Sequence, residues 1–363
     1  MLNEQENNRY SRHLLLSEIG VSGQEKLKAS KVLVIGAGGL GCPVLQYLAA
    51  AGVGNIGIID FDVVDVSNLQ RQILYSTNDV GINKALAAKN RLNSLNPLIK
   101  VVAYQEKLTN KNALELFAHY DIIVDGSDNF STRYLVNDAC VLTNKPLIYG
   151  AIYRFEGQVT VFNYKQGPSY RCLFPEAPKQ GSVPNCSEVG VLGVLPGIIG
   201  VYQANETLKI ILGIGKVLSE KLLIIDALNS SQMELNIQKS RDQIDKVLNA
   251  KNEFESYDYD FFCGITSPQA ESEISCATLK EIVTKEDLQI IDVREAWETP
   301  NVNELNAISI PLNTLAQNLK QIDKHKKTIV YCQKGGRSAQ AINYLHENGF
   351  KNLINLTGGI SNY

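Results

Sequence analysis

A chain of 363 residues with 44% hydrophobic and 20% charged side chains holds apolar material for about two globular domains. Its formal net charge of −3 offers no bulk attraction to nucleic acid or to a membrane surface, so neither is expected as a partner. The polar start "MLNEQENNRYSRH" lacks a signal peptide's apolar core, and the apolar stretch 189–204 is broken by glycines, Pro196 and Gln203.

The N-terminal portion alternates strand and helix patterns. "KVLVIG" (31–36) reads as a buried strand, and "CPVLQYLAAAG" (42–52) as the helix after it, with Pro43 suited to the first turn. A strand over 55–60, a helix over 83–96 and strands over 99–104 and 121–128 continue the rhythm. It implies a Rossmann-like, mainly parallel sheet with helices on both faces. Strands over 157–164, 221–228 and 233–238 add an antiparallel extension, and 197–213 reads as a long amphipathic helix. From 240 to 273 the texture turns to charge, aromatics and small polar residues, which reads as a linker with a helical first part. A second, small α/β unit follows over 274–363, with strands over 288–295, 307–312, 328–333 and 353–359 and a helix over 339–349. There are no internal repeats.

"GAGGLG" (36–41) closes the first strand and opens a helix. Gly36, Gly38, Gly39 and Gly41 let backbone approach a phosphate, and the helix N-terminus supplies amide donors. Asp60 ends the next strand, where a carboxylate accepts bonds from ribose hydroxyls. This pair fits an NAD(P) dehydrogenase equally well. Ser67, Asn68, Leu69, Gln70 and Arg71 follow that strand, Lys84 comes soon after, and Asp128 and Asn129 lie past another strand end. In an open parallel sheet such positions converge on one crevice, and an arginine, a lysine and an extra aspartate there suit ATP with Mg²⁺.

The stretches "NRYSRH", "GAGGLGCPVLQYLAAAGVGNIGIIDFDVVDVSNLQRQ", "DGSDNFSTRY", "EGQVTVF" and "CSEVGVLGVLPGIIG" closely resemble the MoeB/ThiF adenylyltransferases, the bacterial ubiquitin-activating-like enzymes. The resemblance spans about residues 8–238 and sets a first domain over 1–239. It implies a homodimer that uses ATP to adenylate the C-terminal glycine of a ubiquitin-fold sulfur carrier ending in Gly-Gly. It implies ATP contacts at Gly39, Asp60, Ser67 to Arg71, Lys84, Asp128 and Asn129, and a phosphate contact by Arg12 from the partner subunit. Mg²⁺ would be held by Asp128. Arg71, Lys84, Arg12 and the metal would then offset charge moving to pyrophosphate, and an ionised carboxylate needs no general base. The family's two C-x-x-C pairs read here "SYRC" (169–172) and "DFFC" (260–263), so only Cys172 and Cys263 remain and a structural zinc is not expected.

Seven scattered cysteines point to a reducing compartment, the cytoplasm, and to thiol chemistry instead of disulfides. Cys42, Cys140 and Cys276 sit in apolar surroundings and read as packing, as does the lone Trp297. Four histidines without metal-type pairing make His-centred catalysis a poor fit. Cys186, in the loop "GSVPNCSEVG", matches a family cysteine that links covalently to the carrier, though not in every member. Cys332 heads "CQKGGR", and Gln333, Lys334, Gly335, Gly336 and Arg337 form a short loop before a helix, where backbone amides and Arg337 would stabilise a thiolate. Cysteine phosphatases use a longer cradle than these four intervening residues, so one sulfur atom fits better than a phosphate. With "IIDVRE" and "LTGGISNY", the unit resembles a rhodanese domain over 274–363, weakest at "NVNELNAISIPL". That resemblance implies a persulfide on Cys332, supplied by a cysteine desulfurase. The expected reaction is adenylation followed by sulfur transfer to a thiocarboxylate. An NAD(P) oxidoreductase and a catalytically idle carrier-binding module stay open as alternatives.

Overall fold

The computed structural model describes residues 1–178, 190–264 and 273–363. The chain divides into two units, Met1–Cys263 and Gly264–Tyr363. In the first, β1 (Lys31–Ile35) is, after the exposed Lys31, a run of β-branched and leucine residues with Val32, Leu33 and Val34 wholly buried, as befits a parallel strand covered on both faces. It pairs in parallel with β2 (Asn55–Ile59) on one side and with β4 (Ile122–Asp125) on the other. Beyond them lie β3 (Lys100–Tyr104) and β5 (Leu147–Tyr153), also parallel. The sheet then turns antiparallel through β6 (Glu156–Phe162), β7 (Lys221–Asp226) and β8 (Ser231–Asn236). The order is β3-β2-β1-β4-β5-β6-β7-β8, the expected parallel sheet with its antiparallel extension.

Alternate residues of β1 face opposite cores. Val32 and Val34 pack with the helix Gly41–Ala51, while Leu33 and Ile35 join Tyr134 and Leu135 of the helix Phe130–Thr143. Each fully buried aliphatic contributes about 1.5–3 kcal/mol. The helix Leu195–Leu212 is less cleanly amphipathic than its sequence implies, because it buries Gln203, Glu206 and Thr207. Gln203 Nε2 donates to the Asp125 carbonyl at 2.7 Å, and Glu206 accepts the Leu218 amide at 2.9 Å. These bonds let polar side chains sit in the core.

The stretch read as a linker from 240 is folded onto the first unit as far as Cys263. Ser240 caps the helix Arg241–Asn249, and Phe254, Tyr259 and Cys263 are buried in the same core as Tyr134 and Tyr170. Val247, Phe254, Tyr259 and Cys263 anchor a segment whose charged residues are exposed.

The second unit is a parallel sheet of β9 (Glu273–Ile274), β10 (Leu288–Asp292), β11 (Ile308–Ser309), β12 (Lys327–Tyr331) and β13 (Leu353–Leu356). Its order is β11-β10-β12-β13-β9. The helix Gly336–Glu347 covers β12 and β13 through Ala341, Ile342 and Leu345. Among the described residues no helix is long and apolar enough to cross a membrane.

Candidate active site

After β1 the chain runs to β2 and β3 on one side, then crosses back to β4 on the other. Ligands bind at such a reversal, outside the carboxyl ends of the strands. The glycine turn occupies that place. The Gly36 amide donates to the Ile59 carbonyl at 2.9 Å, and the Gly126 amide, just past β4, donates to the Ile35 carbonyl at 2.8 Å. A Cβ on Gly41 would lie 2.0 Å from the Gly36 carbonyl oxygen, so no other residue fits the turn into the helix. Gly41→Ala is therefore expected to destabilise the first unit by about 4 kcal/mol or more, read as a fall in its thermal midpoint. A midpoint equal to that of the unaltered chain would refute this close approach.

Asp60 is tied to the turn. Its Oδ2 accepts the Ala37 amide at 2.8 Å and its Oδ1 the Asp62 amide at 2.9 Å. Burial pushes the Asp60 carboxyl above its usual range, against the opposing pull of the Lys84 ammonium. Lys84 opens the helix Lys84–Leu95, and its Nζ bonds Asp62 Oδ2 at 3.0 Å. The Tyr75 hydroxyl lies 2.7 Å from the Ala37 carbonyl and 3.1 Å from that of Lys84, and Asn83 Nδ2 donates to the Asp60 carbonyl at 3.0 Å. Lysine, aspartate and glycine turn thus form one bonded assembly.

Ser67 and Asn68 sit in a 3-10 turn capped by Asp65, whose carboxylate accepts the Ser67 amide at 2.8 Å. Arg71 Nη1 donates to the Ser67 carbonyl at 3.1 Å, and the Arg71 stem passes beside Gly39. Gln70 packs against Gly193, Leu69 is half-buried, and Gln72 flanks Gly38. Asn129 spends its side-chain oxygen as the cap of the helix Phe130–Thr143, accepting the Thr132 amide at 2.9 Å, while Asp128 is exposed beside it. Arg12 is exposed on the short helix Ser11–Leu14, which packs on the helices Glu4–Arg9 and Gly20–Ala29. Cys186 lies outside the described residues. The supporting roles of Asp62, Tyr75 and Asn83 were not read from the sequence, although "DFDVVD" and "NK" stand beside the residues that were.

Burial raises the Cys42 thiol to about 12 and the Cys140 thiol well above its ordinary value, so neither is a nucleophile near neutrality. Beside Cys172 stand Ser169 and Ser240, whose hydroxyls are poor zinc donors. The Cys172 sulfur accepts the amides of both serines, each at 3.3 Å. Among the described residues no three His, Cys, Asp or Glu side chains gather to hold a metal. The neighbouring Arg171 instead forks onto Asp138 with two bonds of 2.7 Å, and the Tyr259 hydroxyl donates to the same carboxylate at 2.9 Å. The guanidinium also stacks on Tyr134 and Phe262, at 4.8 and 4.9 Å. Asp138→Asn is expected to cost the first unit about 3–5 kcal/mol, since it leaves a buried cation unpaired. Chelator treatment is expected to leave the thermal midpoint of the unaltered chain in place; a drop on chelation would show that a metal holds this region.

In the second unit Cys332 follows β12 and is 2% exposed. The Gly335 amide donates to its sulfur at 3.1 Å, and the Ser338 hydroxyl lies 3.5 Å from it and 2.6 Å from Asn355 Oδ1. Gln333 is gripped from two sides: Oε1 accepts from Arg294 Nη1, and Nε2 donates to Ser361 Oγ, both at 3.0 Å. Lys334 and Gly336 are exposed on the outside of the loop. Gly359 has φ +68°, and a Cβ there would meet the Gln333 carbonyl oxygen at 2.4 Å; the Ile360 amide then bonds the Cys332 carbonyl at 2.9 Å. The "TGGI" stretch thus closes the loop from behind. Two expectations change. Arg337 does not lend its charge to Cys332 alone; it is bound through both outer nitrogens to Glu298, at 2.6 and 2.5 Å. Trp297 is not packing: it is 79% exposed.

A doubly wound sheet with a glycine turn at its switch point, a carboxylate on the next strand and two cations alongside is the framework of a nucleotide-binding α/β protein. The chain belongs to the ThiF family, whose profile matches residues 10–246, and residues 275–363 match the rhodanese-like domain. It is 42% identical to the probable adenylyltransferase/sulfurtransferase MoeZ of Mycobacterium tuberculosis, across 99% of this chain and 93% of MoeZ. The sulfur carrier protein adenylyltransferase of Thermus thermophilus is 52% identical, across 72% of this chain and 98% of that protein. Among solved structures, E. coli MccB with ATP is 27% identical with a TM-score of 0.55, covering 66% of this chain and 73% of MccB.

Proposed function

We propose that the first unit uses ATP to adenylate the terminal glycine carboxylate of a small ubiquitin-fold sulfur carrier ending in Gly-Gly, and that the second supplies sulfur from a Cys332 persulfide. The observation that carries this reading is the bonded assembly of glycine turn, Asp60 and Lys84, with Arg71 beside it, in a chain that also cradles a thiol in backbone amides. The relatives' names and the ATP complex of MccB support ATP as the nucleotide and a sulfur carrier protein as the partner.

In the first step a carboxylate oxygen of the carrier attacks the α-phosphorus, and the bond to pyrophosphate breaks. Arg71 and Lys84 would offset the charge gathering on the leaving group, as would Arg12 from a partner subunit in a homodimer. The exposed Asp128 has the oxygen-donor chemistry of a Mg²⁺ site; that ion, when bound with ATP, would neutralise phosphate charge. Asp60 would accept bonds from the ribose hydroxyls. In the second step the outer sulfur of Cys332 attacks the acyl-adenylate carbonyl and AMP leaves. A thiol, for which Cys186 is the chain's candidate, then cleaves the acyl disulfide; the thiocarboxylate departs, and a dithiol reductant reduces the resulting disulfide back to thiols while itself being oxidised. A cysteine desulfurase in the cytoplasm fits as sulfur donor.

The test is pyrophosphate exchange into ATP, measured with each Gly-Gly-ended carrier of the same cell. Exchange that requires one of these carriers is the expected result; no exchange with any of them sinks the reading.

A further inference from the structure

The Arg337–Glu298 contact is a problem in electrostatics as well as a contact. Arg337 is the second residue of a twelve-residue helix, Gly336–Glu347, where the helix dipole disfavours a cation. Glu298, from the loop after β10, brings a carboxylate to that end, and the two side chains meet fork to fork with most of their surface out of water. Glu298 is itself held, since its Oε1 accepts the Glu295 amide at 2.9 Å. Burial works against its charged form, but the Arg337 bonds outweigh that and keep its carboxyl below the usual range. The neighbouring charges are already matched: Arg294 is fully buried and forked onto Asp292.

We propose that Glu298 is a positioning residue of the sulfur site, which fixes the Arg337 guanidinium at the edge of the loop and cancels its field at Cys332. The sulfur is then stabilised by the Gly335 amide and the helix N-terminus instead of by a free cation. A loop that neither over-stabilises its anion nor leaves it unsupported keeps the sulfur nucleophilic, because nucleophilicity falls as a thiolate is stabilised. The inference rests on Cys332 as the sulfur-bearing thiol.

The experiment is alkylation of the full chain with iodoacetamide at mildly acidic pH, where few thiols are ionised, followed through the Cys332 peptide by mass spectrometry. Glu298→Gln leaves the Arg337 charge unopposed and is expected to speed alkylation by about three- to tenfold; Arg337→Gln leaves the carboxylate unopposed and is expected to slow it by a similar factor. The double variant restores neutrality, and its rate is expected to return to within about twofold of the original. Acceleration that persists in the double variant would mean a loosened loop and would overturn the proposal, as would a Glu298→Gln rate that is unchanged or slower. If Glu298→Gln does not fold, the double variant decides: a rate within about twofold of the original supports the cancellation, and a rate as slow as that of Arg337→Gln overturns it. Alkylation reports charge balance whether or not a persulfide forms, so failure here is distinguishable from failure of the sulfur-transfer reading.

Discussion

Lys84→Ala is expected to lower ATP–pyrophosphate exchange by about 10²–10³-fold, the effect of deleting one aimed charge from a phosphoryl-type transition state. The side chain is only 9% exposed, yet its ammonium reaches Asp62, which is 51% exposed, at the rim of the crevice. This geometry suits a cation that exchanges a solvated carboxylate for a phosphate when nucleotide arrives. Stability should change little, because a partly exposed pair contributes about 0–1 kcal/mol and Asp62 can return to water. Asp60 also loses the cation that opposes its burial, so its carboxyl should move further up and bind ribose less well. Exchange within a few-fold of the unaltered chain would place Lys84 outside the reaction.

Cys332→Ser is expected to abolish thiocarboxylate formation, a loss on the order of 10³-fold or more, while exchange stays within about twofold. Serine preserves the size of the side chain and an acceptor for the Gly335 amide, so the loop should keep its shape. What disappears is the sulfur that carries the transferred atom. Mass spectrometry of the carrier's terminus reads the first half of the prediction and pyrophosphate exchange the second. Loss of both activities would mean that Cys332 takes part in adenylation, against the division of labour proposed for the two units.

The strands around the crevice were legible because parallel strands buried on both faces are unbroken apolar runs, as in "KVLVIG" and "NIGIID". The helix Phe130–Thr143 escaped because it buries Arg133, Asn137 and Asp138 among its apolar residues, which blurs the helical period. Two of them are matched only in three dimensions: Asn137 accepts the Tyr170 amide and Asp138 the Arg171 guanidinium. The first part of the 240–273 stretch reads as a linker for the same reason, since its few anchors are spaced between charges. In the sulfur loop, the cysteine, glycines and arginine were visible as a local motif. Glu298 was not, because it stands 39 residues from Arg337 and nothing in their spacing announces a pair.

The exposed indole of Trp297 has an optical consequence. It is the chain's single tryptophan and precedes the carboxylate that grips Arg337, so essentially all long-wavelength ultraviolet emission arises at the border of the sulfur loop. Emission should start red, as from an indole in water, and shift blue when a sulfur donor or carrier covers that border, giving a label-free signal of docking without any engineered dye.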